Sequence, residues 1–219
     1  MVQKSRKPVR PVKGDAPVEP KRRGRPRAYE PQIALGKALE LFRKGGFAAT
    51  SLDDLSAATG MNRPSLYGAF GDKRELYIKS YQRYRDDARA AMVDIFREEL
   101  PIRKRLERIY AVALGIYLAG ESPRGCFTVM TAASEAVADP QIRGMVLEGF
   151  SELDKAFANS FRLAKENGEL PASTDPDVLA QLASATIHSI AIRARAGVPR
   201  IELEAIVNGA IDVMIGASR

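Results

Sequence analysis

The side chains with the strongest chemical reactivity are scarce in this chain, which has one cysteine, Cys126, and one histidine, His188. A thiol and an imidazole can form a nucleophile–base pair, but neither residue has a catalytic signature around it. A single cysteine with a single histidine also gives no zinc-type spacing and no intramolecular disulfide. Phosphate-loop and dinucleotide fingerprints are missing as well. The sequence therefore predicts no enzyme, no metal site and no cofactor.

Cys126 and His188 each have two possible roles. Cys126 follows Arg124 and Gly125, so it is either a redox switch activated by a nearby cation or a small buried thiol. His188 lies among apolar residues, so it either bonds an effector or senses pH, or it is a satisfied interface histidine. Glu135 and Asp139 are four residues apart, and we expect them to form a solvated face rather than a pair of carboxylates that work together.

Positive charge is concentrated at the start of the chain. The net charge is +7, yet residues 1–28 hold ten basic and two acidic groups, whereas the remaining residues hold 24 and 25. Five of the thirteen prolines also lie in this arm. Such a segment is typical of a disordered arm that binds a polyanion. The arm has no amphipathic apolar face to provide a membrane anchor, so nucleic acid is the expected partner.

The arm contains Arg-Gly-Arg-Pro, which looks like the core of an AT-hook. Extended side chains of Arg23, Arg25 and Arg27 can lie in a narrow A·T minor groove. The alternative is a solvated basic tail that contributes only counterion release. The single cysteine favours a reducing compartment, and the longest uncharged stretch, residues 178–192, is too short for a membrane span of about 20 residues. We therefore expect a cytoplasmic protein.

Helical periodicity, with glycine and proline at the boundaries, predicts an all-α fold of about nine helices. The first helix is expected over 30–44, the second from its cap Ser51 to Gly60, and the third from its cap Asn62 to Gly71. Asp72 caps a long fourth helix. Five further blocks are expected at 102–119, 124–138, 140–167, 175–196 and 201–217.

The second and third helices form a helix-turn-helix pattern around Gly60. The polar residues Asn62, Arg63 and Ser65 lie at the leading end of the third helix, where side chains reach base edges and the helix dipole favours phosphate. Leu66 and Phe70 face inward. This arrangement predicts a helix that enters the major groove of double-stranded DNA with its N-terminus first.

At this point the sequence resembles the TetR/AcrR family of bacterial transcriptional regulators. The resemblance rests on ALELFRKGGFAATSLDDLSAATG, residues 38–60, and on SLYGAFGDKREL from Ser65, and it covers residues 31–80 closely. It implies a three-helix operator-binding domain, a helical domain with a small-molecule pocket, and a homodimer. It also implies phosphate contacts at Thr50, Tyr67 and Lys73, and Ser51 is expected among the DNA-binding residues as well. Arg63, Pro64, Ser65 and Gly68 match recognition-helix positions.

The later helices are rich in apolar and small residues, as expected for the family's ligand-binding domain and equally for an ordinary core. The residues expected to line an effector pocket are Tyr110, Ile116, Tyr117, Phe127, Met130, Met145, Phe150 and His188. An apolar stripe on the last two blocks suits a two-fold, four-helix interface or an internal packing surface. That stripe consists of Leu179, Leu182, Thr186, Ile190, Ile206, Ala210 and Val213.

Three parts are expected: a basic arm over 1–28, a DNA-binding domain over 29–75, and an effector-binding and dimerisation domain over 76–219. The predicted function is a dimeric, TetR-like regulator, most often a repressor, that binds a near-palindromic operator. An apolar or amphipathic small molecule would release it by shifting the dimer between two states. The alternative is an architectural DNA-binding protein that uses the arm and the helix-turn-helix without an effector.

Overall fold

The computed structural model describes residues 30–120 and 124–216, and within these ranges the chain is helical with no strands. The predicted arm, with Arg23, Arg25 and Arg27, lies outside the described residues. The nine α-helices of the described ranges are α1 (Pro31–Ala49), α2 (Leu52–Thr59), α3 (Arg63–Phe70), α4 (Lys73–Arg97), α5 (Ile102–Tyr117), α6 (Phe127–Ala133), α7 (Pro140–Glu166), α8 (Pro176–Arg195) and α9 (Arg200–Ile215).

The first three helices form a small unit whose ends are fixed by local hydrogen bonds. The Ser51 hydroxyl accepts from the Asp54 N–H at 3.1 Å, and the Asp54 carboxylate accepts from the Ser51 N–H at 2.9 Å. The side chain of Asn62 accepts from Ser65 N–H at 2.9 Å, and that of Asp72 accepts from Glu75 N–H at 2.8 Å. All three predicted caps are confirmed, and each satisfies N–H groups that have no partner within the helix.

Helix α1 extends beyond its predicted end but breaks where the glycines predicted a stop. Gly46 has φ 77° and ψ −179°, a left-handed conformation that interrupts the helix before Ala49. The Thr50 hydroxyl then donates to the Gly46 carbonyl oxygen at 2.7 Å. The interruption leaves the carbonyls of Arg43 and Lys44 near a helix end, where they accept hydrogen bonds from another part of the chain.

The larger helical unit packs around α4, α5, α7 and α8, with α9 against α5 and α8. Its buried centre is an aromatic cluster in which the Phe127 ring meets the rings of Tyr77, Tyr81 and Tyr84 edge-on. The centroid distances are 5.3, 5.8 and 5.8 Å. Edge-to-face packing of this kind adds stability beyond the burial of apolar area. Among the described residues, none of the helices is long and apolar enough to cross a membrane.

The prediction of one helix over 124–138 was wrong. Gly125 adopts φ +63°, and the N–H groups of Arg124 and Gly125 both donate to the carbonyl oxygen of Tyr117, so this stretch is a turn. Helix α6 begins only at Phe127 and ends at Ala133, and a 3₁₀ turn, Glu135–Val137, follows Ser134. The Ser134 hydroxyl donates to the carbonyl of Met130 at 2.9 Å, a local bond that competes with helix continuation.

Candidate nucleic-acid interface and ligand cavity

Helix α3 presents one face to the core and the other to solvent. Leu66 and Phe70 are buried as predicted, whereas Pro64 and Gly68 are exposed and Tyr67 is 46% exposed. An added Cβ at Gly68 would meet nothing within 4 Å, so the backbone itself is open on this side. The exposed face therefore combines a phenol ring with accessible backbone on a helix held firmly by its caps.

The predicted DNA contacts differ in how available they are. The Arg63 guanidinium is bound to Asp53, with Nη2 2.7 Å from Oδ1, and both side chains are more than half exposed. The Lys73 ammonium lies 4.3 Å from the centroid of the Phe47 ring. Thr50 is buried and its hydroxyl caps α1, so the structure gives this side chain an internal role. The Ser51 and Asn62 side chains are exposed but already serve as caps.

A cavity of about 510 Å³ lies between α4, α5, α7 and α8. Its inner end is formed by buried Tyr84, Tyr117, Cys126 and Ile187, and its outer end by exposed residues of α4 and α7. This size is typical of small-molecule sites, which bind mainly through apolar walls with a few polar groups. The arrangement provides a site with a buried inner end and a solvent-exposed outer end.

Four of the eight residues expected at a pocket line this cavity, namely Ile116, Tyr117, Phe150 and His188. The prediction was wrong for the other four, Tyr110, Phe127, Met130 and Met145, which do not line it. Tyr110 and Phe127 are fully buried in the core, and the Tyr110 hydroxyl donates to the Ala183 carbonyl at 3.1 Å. A side chain on an apolar helix face packs equally well against a core, and sequence periodicity does not distinguish the two surroundings.

His188 contributes an apolar-facing wall of this cavity. Its ring lies against Phe150, with 4.8 Å between the centroids. Burial lowers the pKa of His188 below its ordinary value of 6.5, although the charge of Asp154 partly opposes this effect. The imidazole is therefore neutral at neutral pH, which suits an apolar wall.

The thiol of Cys126 lies at the inner end and is 9% exposed. The Tyr84 hydroxyl donates to Sγ at 3.5 Å. Burial is the main reason that the pKa of Tyr84 is raised, and the nearby Cys126 raises it further. The floor of the cavity is thus a compact group of a thiol and two phenols.

The floor adjoins a set of arginine contacts that joins α1 to the larger unit, here named the α1–α8 joint and defined by Arg43, Arg124, Gly125 and Arg195. Arg43 is buried and donates to the carbonyl oxygens of Ile116 at 3.1 Å and Gly125 at 3.4 Å. Arg195 donates to the carbonyls of Arg43 and Arg124 at 3.1 Å each. Both Ile116 and the neighbour of Gly125, Cys126, line the cavity.

Sequence reasoning missed this joint, although one signal was present. Arg43 follows Leu39 by four residues and so lies on the apolar stripe of α1. A basic residue on an inward face must find partners when it is buried. Arg43 finds the two carbonyls, the ring of Tyr84 at 5.2 Å, and Glu40 at 3.6 Å, while Arg124 also pairs with Glu40.

A second contact, within the larger unit, joins Arg74 at the start of α4 to Asp139 before α7. Arg74 Nε is 2.6 Å and Nη2 is 3.0 Å from the two Asp139 carboxylate oxygens, a bidentate pair. The same carboxylate caps α7 by accepting from the N–H groups of Gln141 and Ile142. Asp139 therefore does not form the solvated face that was expected with Glu135.

The Arg74 contact makes Asp139 a source of pH-dependent stability. Its hydrogen bond to Arg74 is the main reason that the pKa of Asp139 falls from 3.8 to about 2. A carboxyl whose folded pKa is depressed stabilises the fold above its unfolded pKa, and this contribution is lost as the pH falls from about 4 to about 2. We expect Asp139→Asn to lower the melting temperature at about pH 6 and the difference from the parent to shrink towards pH 2. Thermal unfolding across pH, with exposed Asp177→Asn as the control, measures this; a difference that is constant with pH would contradict it.

The residues proposed for the interface face different surroundings. Leu182 is 48% and Val213 is 85% exposed, whereas Leu179, Thr186, Ile206 and Ala210 are half-buried. The prediction was wrong for Ile190, which is fully buried. The outer face of α8 is instead marked by residues at i, i+4, i+7, i+11 and i+14, which are Val178, Leu182, Ala185, Ser189 and Ile192. On α9, Ile201 and Val213 are exposed as well.

Two parts of the chain match protein families. Residues 34–79 match "Bacterial regulatory proteins, tetR family", and residues 103–209 match "Tetracyclin repressor-like, C-terminal domain". The HTH-type transcriptional repressor ComR of Escherichia coli strain K12 is 29% identical over 178 residues, which cover 81% of this chain and 85% of ComR.

Solved structures agree with these matches. The TetR family transcriptional regulator CifR, in a cysteine mutant complexed with 26-bp double-strand operator DNA, has a TM-score of 0.77 and 28% identity, covering 86% of this chain and 98% of CifR. A TetR family regulator from Cytophaga hutchinsonii shares the fold, with a TM-score of 0.74 at 19% identity over 86% of this chain and 94% of its own. The helix-turn-helix unit, the helical unit behind it and these similarities together show that the chain belongs to the TetR family of bacterial transcriptional regulators.

Proposed function

We propose that this chain is a repressor that binds a near-palindromic DNA operator as a homodimer and is released by a small-molecule effector. The observation that carries the proposal is the exposed face of α3, with Tyr67 and Gly68 outward on a scaffold fixed by three caps. A rigid, capped helix with an open outer face is what major-groove recognition requires. The likeness to CifR, solved with operator DNA, and to the repressor ComR supports it.

In this proposal the contacts divide into two kinds. Tyr67 and Lys73 bind phosphates, and Ser51 and Thr50 lie beside the same backbone strand of DNA. Arg63, Pro64, Ser65 and Gly68, with Asn62 at the cap, face base edges in the groove. Because the Arg63–Asp53 pair is exposed, it is weak, and Arg63 exchanges Asp53 for DNA at little cost. Arg23, Arg25 and Arg27 of the arm add contacts in the adjoining groove.

The proposed organisation has three parts, with the arm over 1–28, the DNA-binding domain over 29–75 and the effector-binding and dimerisation domain over 76–219. The dimer forms through the outer faces of α8 and α9, where Leu182 and Val213 are exposed. Two copies of such a face generate a four-helix interface around a two-fold axis. A two-fold protein then matches the two half-sites of a near-palindromic operator.

Effector release is proposed to act through the α1–α8 joint. Ile116 and Cys126 line the cavity, and the carbonyls of Ile116 and Gly125 hold Arg43 of α1. A ligand that displaces the cavity floor therefore alters the contacts that orient the α1–α3 unit. The effector shifts the population between a state that fits the operator and one that does not. Its difference in binding free energy for the two states sets the upper limit of this shift.

The first test is the removal of the proposed phosphate contacts. We expect Tyr67→Ala and Lys73→Gln each to weaken operator binding about tenfold, since a charge-assisted or phenolic contact to phosphate contributes about 1–2 kcal/mol. Lys73→Gln should also reduce the dependence of affinity on salt by about one phosphate contact. Fluorescence anisotropy on the gene's own upstream DNA, across a salt series and with scrambled competitor, measures both.

The matched control for this test is Ile33→Ala, which removes an exposed apolar side chain of α1 that has no proposed contact. Unchanged affinity in both Tyr67→Ala and Lys73→Gln, with the dimer intact, would refute the assignment of phosphate contacts. If scrambled DNA competes equally with the upstream sequence, either the operator lies elsewhere or the protein is an architectural DNA-binding factor.

The dimer interface has its own test. We expect Leu182→Glu to convert the dimer to a monomer, because a charge at the centre of an apolar interface must be desolvated without a partner. Leu147→Glu is the control, since Leu147 is similarly exposed but belongs to α7 and not to the proposed α8–α9 face. Analytical ultracentrifugation distinguishes the outcomes: a Leu182→Glu variant that still sediments as a dimer contradicts the proposed interface.

A further inference from the structure

The cavity between α4 and α7 has an apolar interior and a charged mouth. Its inner and middle walls include Met92, Phe96, Ile116 and Leu153, together with His188, which burial keeps neutral. An apolar wall of this extent is matched by an apolar ligand body, whose burial provides most of the binding free energy. The walls alone leave open which headgroup the ligand carries.

The mouth is lined by more cations than anions. Arg85, Arg89 and Arg97 lie on one face of α4, and Glu152 is the one carboxylate among the described lining residues. Glu152 is already bound by Arg85 at 3.0 Å, and Arg85 is further held by Glu148 and by the Met145 carbonyl, both at 2.9 Å. The Arg85 guanidinium is thus already bonded to two carboxylates and a backbone carbonyl, so we do not expect it to be the main contact for a ligand.

The guanidinium groups of Arg89 and Arg97 are not held in this way. Arg97 forms no ion pair with any residue of the described ranges. Arg89 pairs with Asp86 at 3.2 Å, but both side chains are about two-thirds exposed, so this pair is weak and easily exchanged. The two arginines are eight residues apart on α4, about 12 Å of helix, and both line the open end of the cavity.

We infer that the effector is an amphipathic organic acid whose carboxylate binds Arg97 at the mouth and whose apolar body extends towards Tyr117 and Cys126. This inference rests on the proposed role of the cavity as the effector site. An amine would meet only a carboxylate that is already bound and two repelling cations. A neutral apolar molecule would cover Arg97 without replacing the water on its guanidinium, which weakens binding. Arg89 adds to the positive field rather than making the main contact.

Three probes that share a ten-carbon chain and differ in headgroup charge test the inference, namely decanoate, decanol and decylammonium. Isothermal titration calorimetry of the full chain without DNA, below the aggregation concentration of each probe, gives their affinities. We expect decanoate to bind at least about tenfold more tightly than decanol, because a charge-assisted hydrogen bond is added. Decylammonium should bind more weakly than either.

Variants locate the headgroup. We expect Arg97→Gln to weaken decanoate about five- to tenfold and Arg89→Gln about two- to threefold, with decanol unchanged by both. Arg108→Gln, at another half-exposed arginine outside the cavity, is the control. The inference is overturned if none of the probes binds, if decanol or decylammonium binds as tightly as decanoate, or if Arg97→Gln leaves decanoate affinity unchanged.

Failure of the proposed function gives a different pattern, because these titrations contain no DNA. If decanoate binds at Arg97 but does not reduce operator binding in the anisotropy assay, the acid site stands and the effector-release proposal fails. If the protein does not bind operator at all, the repressor proposal fails and the headgroup selectivity is still measured.

Discussion

Replacement of Gly125 by alanine is expected to lower the free energy of unfolding by about 2–5 kcal/mol. Gly125 has φ +63°, a conformation that costs other residues about 1–2 kcal/mol. The new Cβ would lie 2.6 Å from the Ala191 carbonyl oxygen and 3.1 Å from the Arg195 Cβ. A backbone atom of α8 does not give way easily, so this clash adds an overpacking cost of about 1–3 kcal/mol.

The expected damage extends to the α1–α8 joint. Arg195 donates to the Arg43 carbonyl at 3.1 Å and to the Lys44 carbonyl at 3.2 Å, and a shift of its backbone moves these bonds together. Hydrogen exchange should therefore speed up around residues 43–46 and 116–118 in Gly125→Ala. Chemical unfolding and exchange mass spectrometry measure the two effects.

Two other glycines separate strain from clash. Gly168 has φ +75° and no atom within 4 Å of an added Cβ, so Gly168→Ala measures backbone strain alone, about 1–2 kcal/mol. Gly115 is helical with equally open space, so Gly115→Ala is expected to be neutral or stabilising by up to about 1 kcal/mol. If Gly125→Ala lowers the free energy of unfolding no more than Gly168→Ala does, the clash of the added Cβ with α8 does not contribute to the loss.

The helix ends could be predicted because their causes are local. The Ser51 and Asn62 caps each involve a residue three positions along, so a few letters of sequence determine them. The inward direction of Leu66 and Phe70 follows in the same way from their spacing on one short helix. For these reasons the prediction of the helix-turn-helix unit was correct in the order of its helices, in their caps and in their buried face.

The surroundings of α8 could not be predicted because this helix has two apolar faces. Ile190 contacts the chain's own core, while Leu182, eight residues earlier, faces outward. Helix α8 packs against α5, α6, α7 and α9, and periodicity reveals an apolar face without saying which neighbour covers it. The predicted stripe therefore mixed residues of the core with residues of the outer surface.

The joint escaped prediction for a different reason. Arg43 binds carbonyls of Ile116 and Gly125, which are 73 and 82 residues away in sequence. Every residue carries a carbonyl, so the partner leaves no mark in the sequence. Only the basic side chain on the apolar face of α1 indicated that a buried partner exists.

Replacement of Phe127 by alanine is expected to lower the free energy of unfolding by about 3–5 kcal/mol, the usual cost of removing a large buried aromatic ring. The ring is fully buried and meets Tyr77, Tyr81 and Tyr84 edge-on, so the loss combines a cavity with three broken aromatic contacts. Phe127→Leu should cost less because leucine fills most of the space. Urea unfolding measures these differences.

Phe150→Ala is the matched comparison, since the sequence placed both phenylalanines in the pocket and the structure places only Phe150 there. Phe150 is half-buried and its ring lies tilted by 51° against that of His188, so its removal should cost less stability and should weaken decanoate binding. Phe127→Ala should show the opposite pattern at a temperature where it remains folded, with stability reduced and decanoate affinity nearly unchanged. If Phe127→Ala remains stable but binds decanoate less tightly, Phe127 belongs to the cavity wall and not to the core, and the cavity extends one layer of side chains further inward.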